Sequence, residues 1–357
     1  MAKLGRNDRC TICDSGLKYK KCCGEYKDMG YKNICLLVGN GFIIDLIRSM
    51  ELGDIDSSKP LSNFCCDEID YSGFIDIMPD IRDGLLSIRE NYANDFEAID
   101  YFISTYARKL NQGFHFDELA YCNIRRFLAL AYSQFYLELL SRIDKRKFEN
   151  WKWNQWINGY GKNLSVCISF NYDLFLEKLL HESGFRYGRI GTIEDDIPDS
   201  ISILKPHGSI DFDMKSGIGG QWDCTTAFRG NQVRHLGDRY AQLNVLPETA
   251  WLSCRMQADI IPPLQNNDNA ELDWVQEIGR YFRNIASDID AFIISGFSYS
   301  SADRPEVNAF IDACSGHGPI DFFIVNPARD SDDINQLIQY IQGQGHNVVQ
   351  KDYLPWC

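Results

Sequence analysis

Ile34-Cys-Leu-Leu-Val38, running into Gly39-Asn-Gly41 and then Phe42 to Met50, reads as a buried strand, a tight glycine turn and the start of a helix. A continuous apolar run that stops at glycine and gives way to helical spacing is the opening unit of a doubly wound α/β sheet. The turn offers what a pyrophosphate needs, namely glycines that let backbone N–H groups approach and a helix N-terminus that receives negative charge. It is short of the full G-x-G-x-x-G pattern, because Ile44 stands where the third glycine would be.

Further strand signals lie at Leu164 to Phe170, Ile201 to Leu204, Ala291 to Ser295 and Phe322 to Val325. Helical segments alternate with them at Asp173 to Glu182, Asp273 to Ile289, Ser301 to Cys314 and Asp332 to Gln344. Such alternation predicts a mainly parallel sheet covered on both faces, a Rossmann-like α/β fold. A helical insertion over about 51–163 separates the first strand from the second. Within it, Ile124, Phe127, Leu128, Ala131, Phe135 and Leu139 make an apolar stripe at helical period, and Trp151, Trp153 and Trp156 are expected to anchor the insertion on the sheet. The stretch from Asp211 to Ala258 is rich in glycine and polar residues and reads as a loop-rich cap near the site.

Each strand delivers a polar residue to its C-terminal end, where open α/β sheets bind ligands. Asn171 follows the second strand, and its carboxamide can hold a water and a hydroxyl together. Asp173, two residues on, suits either the ligand or the cap of the next helix. His207, in Lys205-Pro-His-Gly-Ser209, has a stiffened approach and a sharp turn after it, a setting that the other five histidines lack. It is the candidate for proton transfer. Gly296 and Ser298 after a later strand, and Asn326 after the next, are candidates for phosphate or ribose contacts beside Gly39, Asn40, Gly41 and Phe42.

Cys10, Cys13, Cys22 and Cys23 form a C-x2-C-x8-C-C pattern within residues 1–26. Two thiolate pairs flanking a short loop predict a structural Zn2+ site, since a segment of about 24 residues needs such a staple to fold. With four cysteine ligands the ion has no open position for catalysis. The remaining cysteines are expected as buried thiols of a cytoplasmic protein. No apolar run reaches the length of about 18 residues that a membrane span needs, and Met1 to Arg6 lacks the apolar core of a signal peptide. At 357 residues and a net charge of -14, the chain has room for a large core and does not read as a general nucleic-acid binder. Arg6, Arg9, Lys18, Lys20 and Lys21 make the knob locally basic, which leaves nucleic acid or an acidic protein surface open as its partner.

The order of these motifs resembles the sirtuin-like fold, whose members carry a glycine turn first, an Asn-Asp pair after a middle strand, a His-Gly, a Gly-x-Ser turn and a late Asn. In finer detail, Phe170-Asn-Tyr-Asp173, Leu204-Lys-Pro-His-Gly-Ser-Ile210 and the Gly39-Asn-Gly-Phe42 start are similar to bacterial sirtuin-like proteins of antiphage defence. The knob resembles the small zinc motif at the C-terminus of the SecA translocase, with Thr11 and Ile12 between the first two cysteines where that motif has one residue. The resemblance implies two domains, a zinc motif at 1–26 and a sirtuin-like NAD+-binding domain at 27–357. It implies a glycohydrolase that cleaves NAD+ to nicotinamide and ADP-ribose in abortive infection, with Asn171 and His207 catalytic. It also implies a homo-oligomer with a separately encoded partner, such as a HerA-type ATPase or an Argonaute-like protein. Ile43 stands where many relatives have Ser, and the cysteine pairs of the deacylase zinc ribbon are absent after His207, where only Cys224 and Cys254 occur. Protein deacylation is therefore the weaker reading. A non-hydrolytic NAD+ or ADP-ribose sensor, or an abortive-infection protein acting on another nucleotide, remain alternatives.

Overall fold

A parallel sheet with seven strands, in the order β3-β4-β2-β1-β7-β8-β9, organises the computed structural model of the chain. The structure describes residues 31–61, 79–110, 116–195, 197–213, 242–252, 260–262, 273–316, 318–327, 331–351 and Leu354. The zinc-ligand candidates Cys10, Cys13, Cys22 and Cys23 lie outside the described residues, as does most of the Asp211 to Ala258 stretch. The strands are β1 (Ile34–Val38), β2 (Leu164–Ser169), β3 (Tyr187–Arg189), β4 (Ile201–Leu204), β5 (Phe212–Asp213), β6 (Asn244–Val245), β7 (Ala291–Ser295), β8 (Asp321–Val325) and β9 (Asn347–Lys351). Of these, β5 and β6 form a separate antiparallel pair. If β3 is set aside as an added edge, the order is that of the dinucleotide-binding α/β sheet, with its reversal between β1 and β7. The fold is Rossmann-like.

Why both faces are covered can be read along β1. Ile34, Leu36 and Val38 pack in one apolar layer and Cys35 and Leu37 in the other, the period-two alternation of a strand buried on both sides. The same split divides Ala291 and Ile293 from Phe292 and Ile294 in β7. In β2 the parity flips after Leu164, because the pairing with β1 slips between Ile34 and Cys35. The first face carries α1 (Asn40–Ser49), α7 (Phe175–Glu182) and the insertion. The second carries α8 (Asp273–Ile285), α9 (Arg304–Cys314) and α10 (Asp332–Gly343).

The insertion consists of α2 (Pro79–Ile88), α3 (Asp95–Leu110), α4 (Phe116–Ser141), α5 (Lys145–Asn150) and α6 (Lys152–Tyr160). In α4, every residue from Arg125 to Gln134 is buried, so the expected single stripe is a fully enclosed stretch. Arg125 tolerates this because its Nε donates to the carbonyl of Ile260 at 2.8 Å. Trp151, Trp153 and Trp156 are buried, and the first two close on Phe42 of α1 with ring centroids at 5.0 and 5.4 Å. Trp151 also donates its indole N–H to Asp45 at 2.7 Å. These contacts fix the insertion to the helix that follows the first glycine turn. Cys35, Cys167 and Cys314 are buried free thiols. Among the described residues, no helix is long and apolar enough to cross a membrane.

Candidate functional site

Because the strands run parallel, the ends of β1, β2, β4, β7 and β8 present Gly39, Asn171, His207, Gly296 and Asn326 along one sheet edge. The register aligns Val38 with Ser169 and Ser295, Ile168 with Leu204, and Ser295 with Val325. The edge is therefore a level rim, with the reversal of strand order at its centre.

At that centre the turns after β1 and β7 pack backbone to backbone. Gly39 N donates to Ser295 O at 3.1 Å and Gly41 N to Gly296 O at 2.8 Å. A Cβ on Gly41 would sit 2.4 Å from Gly296 Cα, and one on Gly39 would sit 2.8 Å from Gly296 O. Gly296 itself has φ of +60°, the left-handed region that glycine enters without strain. Phe42 N donates to Gly39 O at 3.0 Å. The amides of Gly39, Gly41 and Phe42 thus hold the protein's own carbonyls, and the glycines serve the close approach of one turn to the other. Phe42 is 1% exposed and points into the tryptophan cluster. Asn40 and the exposed Ser298 are the polar side chains of these two turns.

Asn171 is partly exposed, and its Nδ2 donates to Gly39 O at 3.0 Å. Only the amide nitrogen can donate to a carbonyl, so this bond fixes which end of the carboxamide is which. The Oδ1 takes no hydrogen bond from the described residues and is left as an acceptor at the rim. Asn326 uses the same device, donating Nδ2 to Phe297 O at 2.8 Å, but is 8% exposed and serves to hold the Gly296 to Ser298 turn. Beyond that turn, Tyr299 has φ of +53°, a conformation costly for a non-glycine residue. It is held there by a hydroxyl bond to Asn308 at 2.7 Å and by Arg304, which donates to its carbonyl at 3.1 Å and stacks on its ring.

Asp173 accepts the Phe175 N–H at 3.0 Å through Oδ1, from one residue before Leu174, the N-cap of α7, so it braces the helix start without being its cap. Burial pushes its carboxyl up to about 6, opposed by the Lys205 ammonium. Lys205 is itself fully buried: Nζ donates to Asp173 O and lies 3.2 Å from Glu177 of α7. The bond to Asp173 O ties the turn after β4 to the turn after β2, and the ion pair ties it to α7, placing His207 beside Asn171's loop. A second buried pair, Arg189 with Asp211, anchors the edge strand β3 to the chain leaving His207, and Arg189 also holds the half-exposed Glu194 at 2.7 Å.

His207 is 5% exposed, and Phe170 meets its ring edge to face at 4.9 Å. Gly208, with φ of +78°, turns the chain back so that Gly208 N reaches Lys205 O at 2.9 Å. Ile260 to Pro262 closes over this turn, with Ile261 N on His207 O at 2.9 Å and the Tyr172 hydroxyl on Ile261 O. The Nε2 of His207 is buried, takes no hydrogen bond from the described residues and lies 3.7 Å from Asp303 Oδ1. Glu306, one turn further along α9, has a buried Oε2 with no partner among the described residues. Burial pushes its carboxyl up, and His207 when charged pulls it down.

Sequence reasoning did not single out Asp303, Glu306, Lys205 or Glu177. Glu177 had a visible signal, a carboxylate within the apolar run Phe175-Leu-Glu-Lys-Leu-Leu180. For Asp303 and Glu306 there was none, since only the packing of α9 brings them to His207. Among the described residues, no group of three or more His, Cys, Asp or Glu is arranged to hold a metal. No protein-family model matches the chain, and no curated protein matches it.

Proposed function

We propose that this chain is an NAD+ glycohydrolase that cleaves NAD+ to nicotinamide and ADP-ribose, and that it depletes NAD+ as an antiphage response. The observation that carries the reading is Asn171. Its amide is locked to Gly39 O at the strand-order reversal, and its Oδ1, which no described residue engages, is an acceptor on the rim. Loss of nicotinamide passes through an oxocarbenium-like state that needs little nucleophilic help but a well-placed water and ribose. A fixed carboxamide oxygen accepts a hydrogen bond from either one. His207, on the neighbouring turn, is the group available to take the water's proton. The motif order described above supports NAD+ as the substrate. With the amides of Gly39, Gly41 and Phe42 already engaged, the pyrophosphate falls to Asn40 and Ser298. The basic N-terminal cysteine segment holds one structural Zn2+ and docks a defence partner, and the active form is a homo-oligomer.

The test is NAD+ consumption by purified protein, with nicotinamide and ADP-ribose resolved by chromatography, for wild type, Asn171→Ala and His207→Ala. Each substitution is expected to lower turnover by about 100- to 10,000-fold. Full turnover by folded Asn171→Ala removes the assignment. NAD+ binding with no turnover under any condition replaces it with the sensor reading.

A further inference from the structure

His207 has a buried ring nitrogen that faces a carboxylate without a hydrogen bond from any described residue. Its Nε2 is enclosed. Asp303 Oδ1 stands 3.7 Å from that nitrogen, and the carboxylate is aimed by Ser300, whose hydroxyl donates to Oδ2 at 2.9 Å. Glu306 adds a buried carboxyl oxygen that no described residue engages. The other charges nearby are spoken for: Lys205 by Glu177, and Arg304 by Asp333 and the Tyr299 ring. An enclosed imidazole nitrogen and two carboxyl groups on one helical turn, with unsatisfied atoms on both sides of the gap, are a poor arrangement for stability alone, since each unpaired buried polar group is costly.

We propose that Asp303 is the positioning residue of His207, receiving its Nε2–H so that Nδ1 is the nitrogen turned to the reaction, with Glu306 as the second carboxyl group that stabilises the ring once it is charged. This deepens the glycohydrolase reading and rests on it. In the step, the C1′–N bond breaks with its electron pair leaving on nicotinamide, and the water oxygen forms the new C1′–O bond. The proton that the water gives up binds Nδ1. The imidazolium then lies against Asp303, and the 3.7 Å gap closes to a charge-assisted hydrogen bond, as such contacts do when a site fills.

The experiment compares wild type, Asp303→Asn, His207→Ala, the double variant and Glu306→Gln, each checked for folding by thermal unfolding. Asp303→Asn keeps shape and the Ser300 contact but removes the charge. Its kcat is expected to fall about 10- to 100-fold with KM for NAD+ within about twofold, and it adds no further loss to His207→Ala. A residue with a merely structural role would lower both backgrounds alike. In protein labelled with 15N at histidine, the His207 ring resonances, identified by their loss in His207→Ala, should report an Nε2–H tautomer in wild type and shift in Asp303→Asn. Unchanged kcat, losses that add to His207→Ala, or an Nδ1–H tautomer overturns the proposal. If Asp303→Asn does not fold, Glu306→Gln is read the same way for the second carboxyl group, and the wild-type tautomer decides for Asp303. Wild type without NAD+ turnover would refute the glycohydrolase reading instead, and the ring resonances would still decide the pairing.

Discussion

Replacing Lys205 by Met removes an ammonium from a place where water does not reach. The side chain is 0% exposed and its partner Glu177 3% exposed, with 3.2 Å between Nζ and Oε1. The second carboxylate oxygen of Glu177 is buried and has no partner among the described residues, so Lys205 is its compensation. Removing one member of a buried pair costs about 3–5 kcal/mol, because the other charge is stranded. An unfolding entropy of about 2.1 cal/mol/K per residue over 357 residues makes each kcal/mol worth about 1.3 °C. Lys205→Met should therefore unfold about 4–7 °C below wild type, measured by far-UV circular dichroism at neutral pH. The double variant Lys205→Met, Glu177→Leu removes the stranded charge as well and should recover at least half of that loss. Only the bond to Asp173 O, worth about 1 kcal/mol, stays missing. A single variant within about 1 °C of wild type would refute the burial argument, and a double variant as unstable as the single would refute the stranded-charge argument.

Gly41→Ala forces a Cβ to 2.4 Å from Gly296 Cα, an overpacking cost of about 1–3 kcal/mol, whereas Gly159→Ala, whose Cβ meets nothing within 4 Å in α6, should raise stability by about 0.5–1 kcal/mol; a thermal-unfolding pair checks both signs. Phe42→Ala empties the space against Trp151 and Trp153 and should cost about 3–5 kcal/mol, while Phe42→Leu should leave NAD+ turnover intact; a selective rise in KM would mean that the ring meets ligand. Asp173 is raised to about 6 from an ordinary value of 3.8, so its ionisation weighs on the folded state, and its contribution is most favourable below 3.8 and lost as pH rises through 6. Asp173→Asn should therefore gain on wild type in melting temperature as pH goes from 4 to 7. A constant difference across that range would show that the carboxyl is solvated in the folded protein.

The strands legible in the sequence are those buried on both faces. β1, β2, β4, β7 and β8 stand out as apolar runs because a covered parallel strand has no polar side. The edge strands do not: Tyr187-Gly-Arg189 has no apolar run, and Asn347-Val-Val-Gln-Lys351 is half polar. Their strand state comes from pairing with β4 and β8, which is tertiary information. The same limit hid the enclosure of α4, since the burial of Arg125 depends on the carbonyl that Ile260 brings to it. Glycine spacing carried half of its message. Gly39-Asn-Gly41 signals that something approaches the backbone closely, and the structure identifies that something as the Gly296 turn.

Two asparagines on the rim separate support from function. Asn171 and Asn326 each follow a parallel strand, and each donates its amide N–H to the main-chain carbonyl of a neighbouring turn, at 3.0 and 2.8 Å. For Asn326 the rest of the side chain is buried, and the residue is accounted for by the turn it holds. In Asn171 the carbonyl it grips, Gly39 O, already accepts from Phe42 N, so the turn would be held without it. What the second bond accomplishes is to orient the carboxamide itself. An orienting bond on a partly exposed side chain costs rotamer freedom and gives the turn little. It becomes understandable when the oxygen that no described residue engages has something to meet, and the strand-order reversal, whose Gly39 turn Asn171 grips, is where a sheet of this kind presents its ligand.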